Sequence, residues 1–173
     1  MSNFVTIKFV KAYREVVYYS VVVNGGEEDE SLFEAFIQKY GITEKGKLNH
    51  ILSWIREIGQ IHGAQSYLFR AENDAEALPP LGVNRDPCYI ENDKEISNPL
   101  RLYCHILNEH VVVLFGGGVK TAKTVQECAN VRMPFYLANK LSKLIDKSIQ
   151  KGEIDWDDDC RDILYEKEYI LFY

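Results

Sequence analysis

The chain has 173 residues, of which 46% are hydrophobic and 27% charged, and its formal net charge is −6 at pH 7. This is enough apolar material for one sizeable core, and one domain over residues 1–173 is the expectation. No residue type dominates a long segment, which excludes collagen, coiled coils and extended disorder. The early apolar run, Val16 to Val23, has eight residues, whereas a spanning helix needs about 20. With no secretory pattern at the start, we expect a cytoplasmic protein without membrane contact.

Two strands and a helical hairpin are predicted for the first part of the chain. Residues 3–10 and 15–23 are rich in β-branched and aromatic residues and predict a strand pair, spanning 3–23 in all. A capping box at Ser31 and Glu34 begins a helix whose apolar face ends near Gly41. Apolar residues then recur every three or four positions from Lys47 to His62, which predicts a second helix.

The centre of the chain predicts a long connection followed by a hairpin. Residues 65–70 (QSYLFR) are typical of a strand, and residues 71–98 of an irregular segment with a brief strand at 88–90. Residues 100–107 and 111–115 flank an NEH turn and predict an antiparallel hairpin. Since VVVLF is apolar at every position, we expect its strand to be central and covered on both faces.

Three glycines, 116–118, are expected to end that strand, and Pro134 to begin a third helix with an apolar stripe. The final run, EYILFY, predicts an edge strand. The predicted fold is therefore α+β: a mainly antiparallel sheet with a helical hairpin and a C-terminal helix packed on it.

Charge is distributed unevenly along the chain. Residues 100–150 carry seven basic and three acidic side chains, whereas the extension 151–173 carries three basic and eight acidic ones. A positive segment between acidic ones suggests a local site for an anion. The alternative is a lysine-rich helix face in contact with solvent.

The sequence predicts neither a metal site nor a cofactor. Its four cysteines form no CxxC pair and no histidine stands at zinc-finger spacing, so we expect reduced thiols. The aspartates at 155–159 lack the glycine and glutamate of a calcium loop. The four histidines show no metal-like or triad-like spacing and receive no catalytic role.

Two sets of basic residues are candidates for phosphate binding. The GGGVKTAK segment presents Lys120 and Lys123 beside flexible backbone, although it lacks the Walker spacing. Arg70 and Arg101 would form a rigid cationic surface if they share one face of the sheet. The alternatives are a plain glycine-rich turn, and arginines each paired with a carboxylate such as Glu72 or Glu109.

Four short segments, in order, resemble the RelE/HigB-like toxin superfamily of toxin–antitoxin systems, including its phage-derived relatives. They are the aromatic-Arg pair at Arg70, the LRLY segment at Arg101, VVVLF followed by GGGVKTAK, and the basic amphipathic helix after it. The preceding strand and helical hairpin have the same order. The similarity covers roughly residues 31–150, with the strand pair 3–23 and the acidic extension 151–173 outside it.

The resemblance implies a RelE-like core and a ribosome-dependent mRNA endonuclease (mRNA interferase), the toxin of a type II pair held silent by a cognate antitoxin. In such chemistry the RNA 2′-hydroxyl attacks the adjacent phosphate, and no metal is required. By position, Arg70 and Arg101 would stabilise the phosphate, and Lys120 or Lys123 would serve as base or acid. Tyr165, Tyr169 and Tyr173 are candidates by location for the family's C-terminal catalytic residue. The expected substrate-binding residues are Gly117, Gly118, Arg132 and Lys140.

Two other functions remain open. One is a non-catalytic module that keeps the fold and binds a protein partner through its sheet face or acidic margins. The other is a gyrase-poisoning relative, which shares the scaffold but does not need the RNA-cleaving cations. Convergence of Arg70, Arg101 and at least one of the two lysines is expected only for the nuclease.

Overall fold

Residues 2–25 and 29–173, the part of the chain that the computed structural model describes, contain three α-helices and eleven strands. In chain order they are β1 (Phe4–Ala12), β2 (Val17–Val23), α1 (Leu32–Thr43), α2 (Lys45–Glu57), β3 (Arg70–Glu72), β4 (Ala75–Leu78), β5 (Ile90–Glu91), β6 (Lys94–Glu95), β7 (Leu100–Asn108), β8 (Val111–Val119), α3 (Ala129–Gln150), β9 (Asp155–Trp156), β10 (Ile163–Leu164) and β11 (Ile170–Phe172).

Seven strands form one sheet in the order β11-β1-β2-β8-β7-β4-β3. Neighbouring strands are antiparallel except β2 and β8, which run parallel and are connected through α1, α2 and the strands β3 to β7. The predicted α+β class with a mainly antiparallel sheet is confirmed. The N-terminal strands and the last strand belong to this same sheet, and β11 is an edge strand, as expected.

The sheet separates two apolar cores. Along β8, Val113 and Phe115 face the core under α3, whereas Val112 and Leu114 face the core under α1 and α2. This alternation follows from the twofold repeat of a strand, and it leaves the centre of β8 buried on both faces, as predicted from its continuous apolar sequence. Helix α3 therefore lies on the face opposite the helical hairpin.

The helical hairpin forms as predicted. The Ser31 hydroxyl accepts a hydrogen bond from the Glu34 amide at 3.1 Å, which satisfies one free N–H of the first turn of α1. Helix α1 continues past Gly41 to Thr43, and α2 extends through a π-helical turn at Ile58–His62.

Three predicted boundaries are wrong. Residues 65–70 are not a strand: a 3₁₀ turn occupies Ser66–Leu68, and Arg70 begins a strand instead of ending one. Residues 71–78 are not irregular, because β3 and β4 form a hairpin there. The third helix begins at Ala129, with Pro134 inside it.

The glycines 116–118 do not end β8, which continues to Val119. Gly117 lies opposite Leu102, next to a register shift between β7 and β8. A Cβ atom at residue 117 would overlap the carbonyl oxygen of Arg101. Glycine is therefore required here by the close approach of two strands and not by a turn.

Candidate functional site

Arg70 and Arg101 lie on the α3 face of the sheet, on strands separated only by β4. Arg70 pairs with Ala77, and Ala77 pairs with Tyr103. Directly opposed residues share a face, and Arg101, two residues before Tyr103 on β7, shares that face too. Ala77 and Tyr103 belong to the α3-side core. The two arginines therefore extend from the strands on either side of β4, which presents the small Ala77 on this face opposite Arg70 and Tyr103.

Both guanidinium groups are buried and bonded to backbone oxygens. Arg70 is 9% exposed and Arg101 8%. The Nε of Arg70 donates to the Pro79 oxygen at 2.8 Å, and Nη1 of Arg101 donates to the Asn98 oxygen at 2.5 Å. In the described part of the chain neither arginine forms an ion pair with a carboxylate. The alternative in which each is neutralised by its own acidic partner is not what the structure shows.

The electrostatics of this pair favour an anion. Burial, together with the nearby charge of Arg101, lowers the pKa of Arg70 to about 10. Burial also lowers the pKa of Arg101. Two buried positive charges close together are unfavourable unless opposite charge compensates them. An oxyanion bound between the guanidinium groups would supply that charge, with the bidentate geometry that arginine offers.

Glu72 and Tyr103 lie on the same face. From the sequence, Glu72 was expected only as a possible ion-pair partner of the arginines, and Tyr103 was not predicted. Glu72 follows Arg70 by two residues on β3, and its negative charge opposes the lowering of both arginine pKa values. Burial, and then the charge of Glu72, raises the pKa of Tyr103. The signal was present as strand alternation, in Arg70-Ala-Glu72 and Arg101-Leu-Tyr103. We call Arg70, Glu72, Arg101 and Tyr103 the arginine cluster.

Two lysines and two glycines predicted for the site lie at the end of β8 and in the segment that follows it. The Lys120 amide donates to the Pro99 oxygen at 2.9 Å, which continues the β7–β8 pairing just beyond Arg101. Lys123 is exposed in the segment between β8 and α3. Gly117 packs against the Arg101 backbone, and a Cβ at Gly118 would overlap the Asn130 oxygen. Gly117 therefore permits the observed position of the Arg101 backbone, and Gly118 permits the close approach of the first turn of α3.

Helix α3 carries the remaining two candidates on different sides. Asn139 accepts hydrogen bonds from the amides of Asp74 and Ala75 in the β3–β4 turn, at 2.7 and 3.0 Å. Arg132 stands seven residues earlier, on the same side of the helix as Asn139, and is exposed. Lys140 lies over the ring of Tyr173, 5.6 Å from its centre, beside the opposite edge of the sheet. The structure does not bring Lys140 to the arginine cluster.

The three C-terminal tyrosines also lie away from the arginines. Tyr165 packs edge-on against Tyr19 of β2, with ring centres 6.2 Å apart. The Tyr169 hydroxyl donates to Ser148 Oγ at 2.5 Å. Tyr173 follows β11, which lies at the sheet edge opposite β3. Their contacts place all three on the β11 side of the molecule.

A second polar cluster on the α3 face is centred on His105. Its Nε2 is 2.8 Å from Asp146 of α3, and its Nδ1 is 3.4 Å from Glu76 of β4. Both ring nitrogens thus face carboxylates, and the side chain links α3 to the sheet. Among the described residues the ring bonds to these two carboxylates and to no nucleophile, so we interpret this cluster as structural.

Among the residues described, no group of three or more His, Cys, Asp or Glu side chains is arranged to hold a metal ion. The same residues include no helix with the length and apolar character needed to cross a membrane. Comparisons of the chain with protein-family models, curated proteins and solved structures give no significant match. The arginine cluster is therefore the feature of the molecule that points to a function.

Proposed function

We propose that the chain is an RNA endonuclease in which Arg70 and Arg101 hold the phosphate attacked by the neighbouring 2′-hydroxyl. The observation that supports this proposal is the pair of neighbouring, buried guanidinium groups, neither of which forms an ion pair with a carboxylate of the described residues. Attack by the 2′-oxygen forms a new P–O bond while the bond to the 5′-oxygen breaks. The products are a 2′,3′-cyclic phosphate and a free 5′-hydroxyl. Extra negative charge develops on the phosphate, where fixed cations stabilise it most.

The reaction also needs a proton acceptor and a proton donor. Glu72 is the acceptor we propose, because a carboxylate oxygen can accept a proton and Glu72 lies close enough to influence both arginines electrostatically. Lys123 is exposed in the segment between β8 and α3, and the proposal gives it no part in proton transfer. Lys120 directly follows β8, and its amide bonds to Pro99, two residues before Arg101; it is the proposed donor to the leaving 5′-oxygen.

The cellular role we propose is the toxin of a type II toxin–antitoxin pair, acting on mRNA at the ribosome in the cytoplasm. The basic segment 100–150 contains Arg101 and Lys120 and would attract RNA despite the net charge of −6. At the other edge of the sheet, Ile170 and Phe172 of β11 are 43% and 61% exposed. A cognate antitoxin segment would pair with this edge or cover the basic surface. The arginine pair favours this role over a binding module or a gyrase poison, neither of which needs it.

The test compares arginine-to-lysine variants, which keep the charge but lose the forked donor geometry. The wild-type chain, Arg70→Lys, Arg101→Lys and the control Arg85→Lys are expressed inducibly in bacteria, and growth and message integrity are followed. Arg85 is a partly buried arginine outside the arginine cluster, and it donates to the Tyr67 oxygen. The purified proteins are then incubated with mRNA, free and on ribosomes, and with RNA carrying 2′-deoxy nucleotides.

We expect Arg70→Lys and Arg101→Lys to slow RNA cleavage by about 100-fold or more, while Arg85→Lys cleaves like the wild type. The 2′-deoxy substrate should remain intact, and the products should end in cyclic phosphate. An undiminished rate in both lysine variants, or a wild-type protein that leaves mRNA intact on and off ribosomes, would refute the proposed function.

A further inference from the structure

Two buried hydrogen-bond donors in the arginine cluster have no acceptor. They are the hydroxyl of Tyr103, whose side chain is fully buried, and Nε of Arg101, which is 8% exposed. Within residues 2–25 and 29–173, these are the buried side-chain nitrogen and oxygen atoms that lack a hydrogen-bond partner. Buried donors in folded proteins are almost always paired, so each unpaired donor calls for an explanation. Here the two belong to side chains that share one sheet face.

The surroundings hold Tyr103 in a fixed orientation. The ring of Phe135 on α3 packs edge-on against it, with centres 5.8 Å apart and planes at 75°. Beneath the cluster, the neighbouring positions of β4 are the small residues Ala75 and Ala77. The charges that act on the Tyr103 hydroxyl include those of Glu72, Arg101 and Arg70. One carboxylate against two guanidinium groups leaves the cluster net positive.

We infer that Tyr103 is a further phosphate-binding residue: its O–H and the Nε–H of Arg101 donate to oxygens of the bound phosphate group. This inference rests on the proposed function, because it assigns the ligand of the same cluster. An oxyanion supplies what both donors lack, an acceptor, and also supplies the negative charge that the arginines lack. A structural tyrosine in this core would have its hydroxyl paired. Tyr18, buried on the other face, shows that pattern by donating to the Ile55 oxygen at 2.8 Å.

The experiment compares Tyr103→Phe with Tyr18→Phe, using inorganic phosphate as the probe. Thermal unfolding of the full chain is followed at increasing phosphate, with chloride keeping the ionic strength constant. Without phosphate, we expect Tyr103→Phe to unfold no earlier than the wild type, because no hydrogen bond is lost. Tyr18→Phe should unfold earlier, because the Ile55 oxygen loses its donor. Phosphate should raise the Tm of the wild type and of Tyr18→Phe, but bind Tyr103→Phe about tenfold or more weakly.

A second measurement does not depend on a variant at Tyr103. The Nε–H resonance of Arg101, assigned by its absence in Arg101→Lys, should shift in the wild-type NMR spectrum as phosphate is added. Equal phosphate affinities of the wild type and Tyr103→Phe, or an Nε–H resonance that phosphate leaves unchanged, would overturn the inference.

The outcomes separate this inference from the proposed function. A protein that binds phosphate through Tyr103 but leaves RNA intact supports the inference and refutes the nuclease. A protein that cleaves RNA equally well with tyrosine or phenylalanine at position 103, with unchanged phosphate affinity, supports the nuclease and overturns the inference.

Discussion

His105 shows how a buried titratable side chain connects two elements. It is 5% exposed, and burial alone favours the neutral ring. Hydrogen bonds with Glu76 and Asp146 outweigh the burial and raise the pKa of His105 above its usual range. The protonated ring then lies between two carboxylates, one from β4 and one from α3, and holds the helix against the sheet.

This raised pKa predicts the direction in which stability changes with pH. A histidine that binds its proton more tightly in the folded chain stabilises the fold fully below its unfolded pKa, about 6.5. That contribution is lost as the pH rises through the folded pKa. We therefore expect the wild type to lose more of its free energy of unfolding between pH 6 and pH 9 than His105→Gln does, measured by urea titration. Parallel pH profiles of the two proteins would contradict this account.

His50 provides a control, because its pKa is shifted in the opposite direction. Burial lowers the pKa of His50, and its backbone contact with Pro87 only partly offsets this effect. Its contribution to stability is therefore present above the unfolded pKa and diminishes below it, because the unfolded chain takes up the proton more readily. In His50→Gln, the free energy of unfolding should therefore fall less steeply with decreasing pH below about pH 6.5 than in the wild type. Between pH 6 and pH 9, His50→Gln should change the pH dependence much less than His105→Gln does.

At the scale of elements, the glycine-rich end of β8 shows why local signals can mislead. Three successive glycines ordinarily indicate a turn, yet in this chain they extend a strand by four residues beyond Phe115. The reason is tertiary: Gly117 lies against the Arg101 backbone, and Gly118 against Asn130 at the start of α3. A contact between residues far apart in the chain cannot be derived from the sequence of the segment alone.

This contact predicts that Gly117→Ala is destabilising. The added methyl group would overlap the Arg101 carbonyl oxygen, which is backbone and cannot rotate away. We expect the free energy of unfolding to fall by about 1–3 kcal/mol, toward the upper end of that range. Phosphate binding should also weaken, because the substitution displaces Arg101. The control is Gly46→Ala in the first turn of α2, where nothing lies within 4 Å. That change should be neutral or stabilising by up to about 1 kcal/mol. Equal unfolding midpoints for the two variants in urea would show that the close approach does not matter.

The elements that the sequence predicted well are those with a strong local signal. The capping box at Ser31, the periodic apolar face of α2 and the continuous apolar run of β8 each have a direct physical cause within a few residues. The β3–β4 hairpin had no such signal. Its strands have only three and four residues. Pairing with β7, and the hydrogen bonds that Asn139 accepts from the amides of Asp74 and Ala75, hold it in place.

At the scale of the whole molecule, the same distinction applies to the site. Arg70 and Arg101 could be selected as candidates because charged residues in apolar strands need an explanation. Their placement on one face depends on how β3 pairs with β4 and β4 with β7. That register is set by contacts between residues far apart in the chain and is not visible in the local sequence. The predicted role of Lys140 could not be judged from helix periodicity alone, because only the packing of α3 shows which of its sides faces β3. Tyr103 was missed because a tyrosine in a core strand looks ordinary until its hydroxyl is found without a partner.

The two cores are expected to unfold together, because β7 and β8 supply alternate residues to both. The chain has two tryptophans, and they report on different cores. Trp54 is buried under α1 and α2, whereas Trp156 packs against the core under α3. Trp54→Phe and Trp156→Phe each leave a single tryptophan. Adding Leu141→Ala to either variant should lower the free energy of unfolding by about 2–5 kcal/mol, because Leu141 is fully buried in the α3-side core.

Fluorescence of either tryptophan should then show the same fall in unfolding midpoint, although Leu141 contacts only one core. The control is Ile42→Ala, at a side chain that is 87% exposed. It should change the free energy of unfolding by no more than about 0.5 kcal/mol, as surface substitutions usually do, and so leave both midpoints nearly unchanged. If Leu141→Ala lowered the midpoint seen by Trp156 and left that of Trp54 unchanged, the two faces of the sheet would be independent units. A shared midpoint is expected because one sheet forms both cores. A strand that loses the packing on one face also loses the backbone pairing that positions the side chains on its other face.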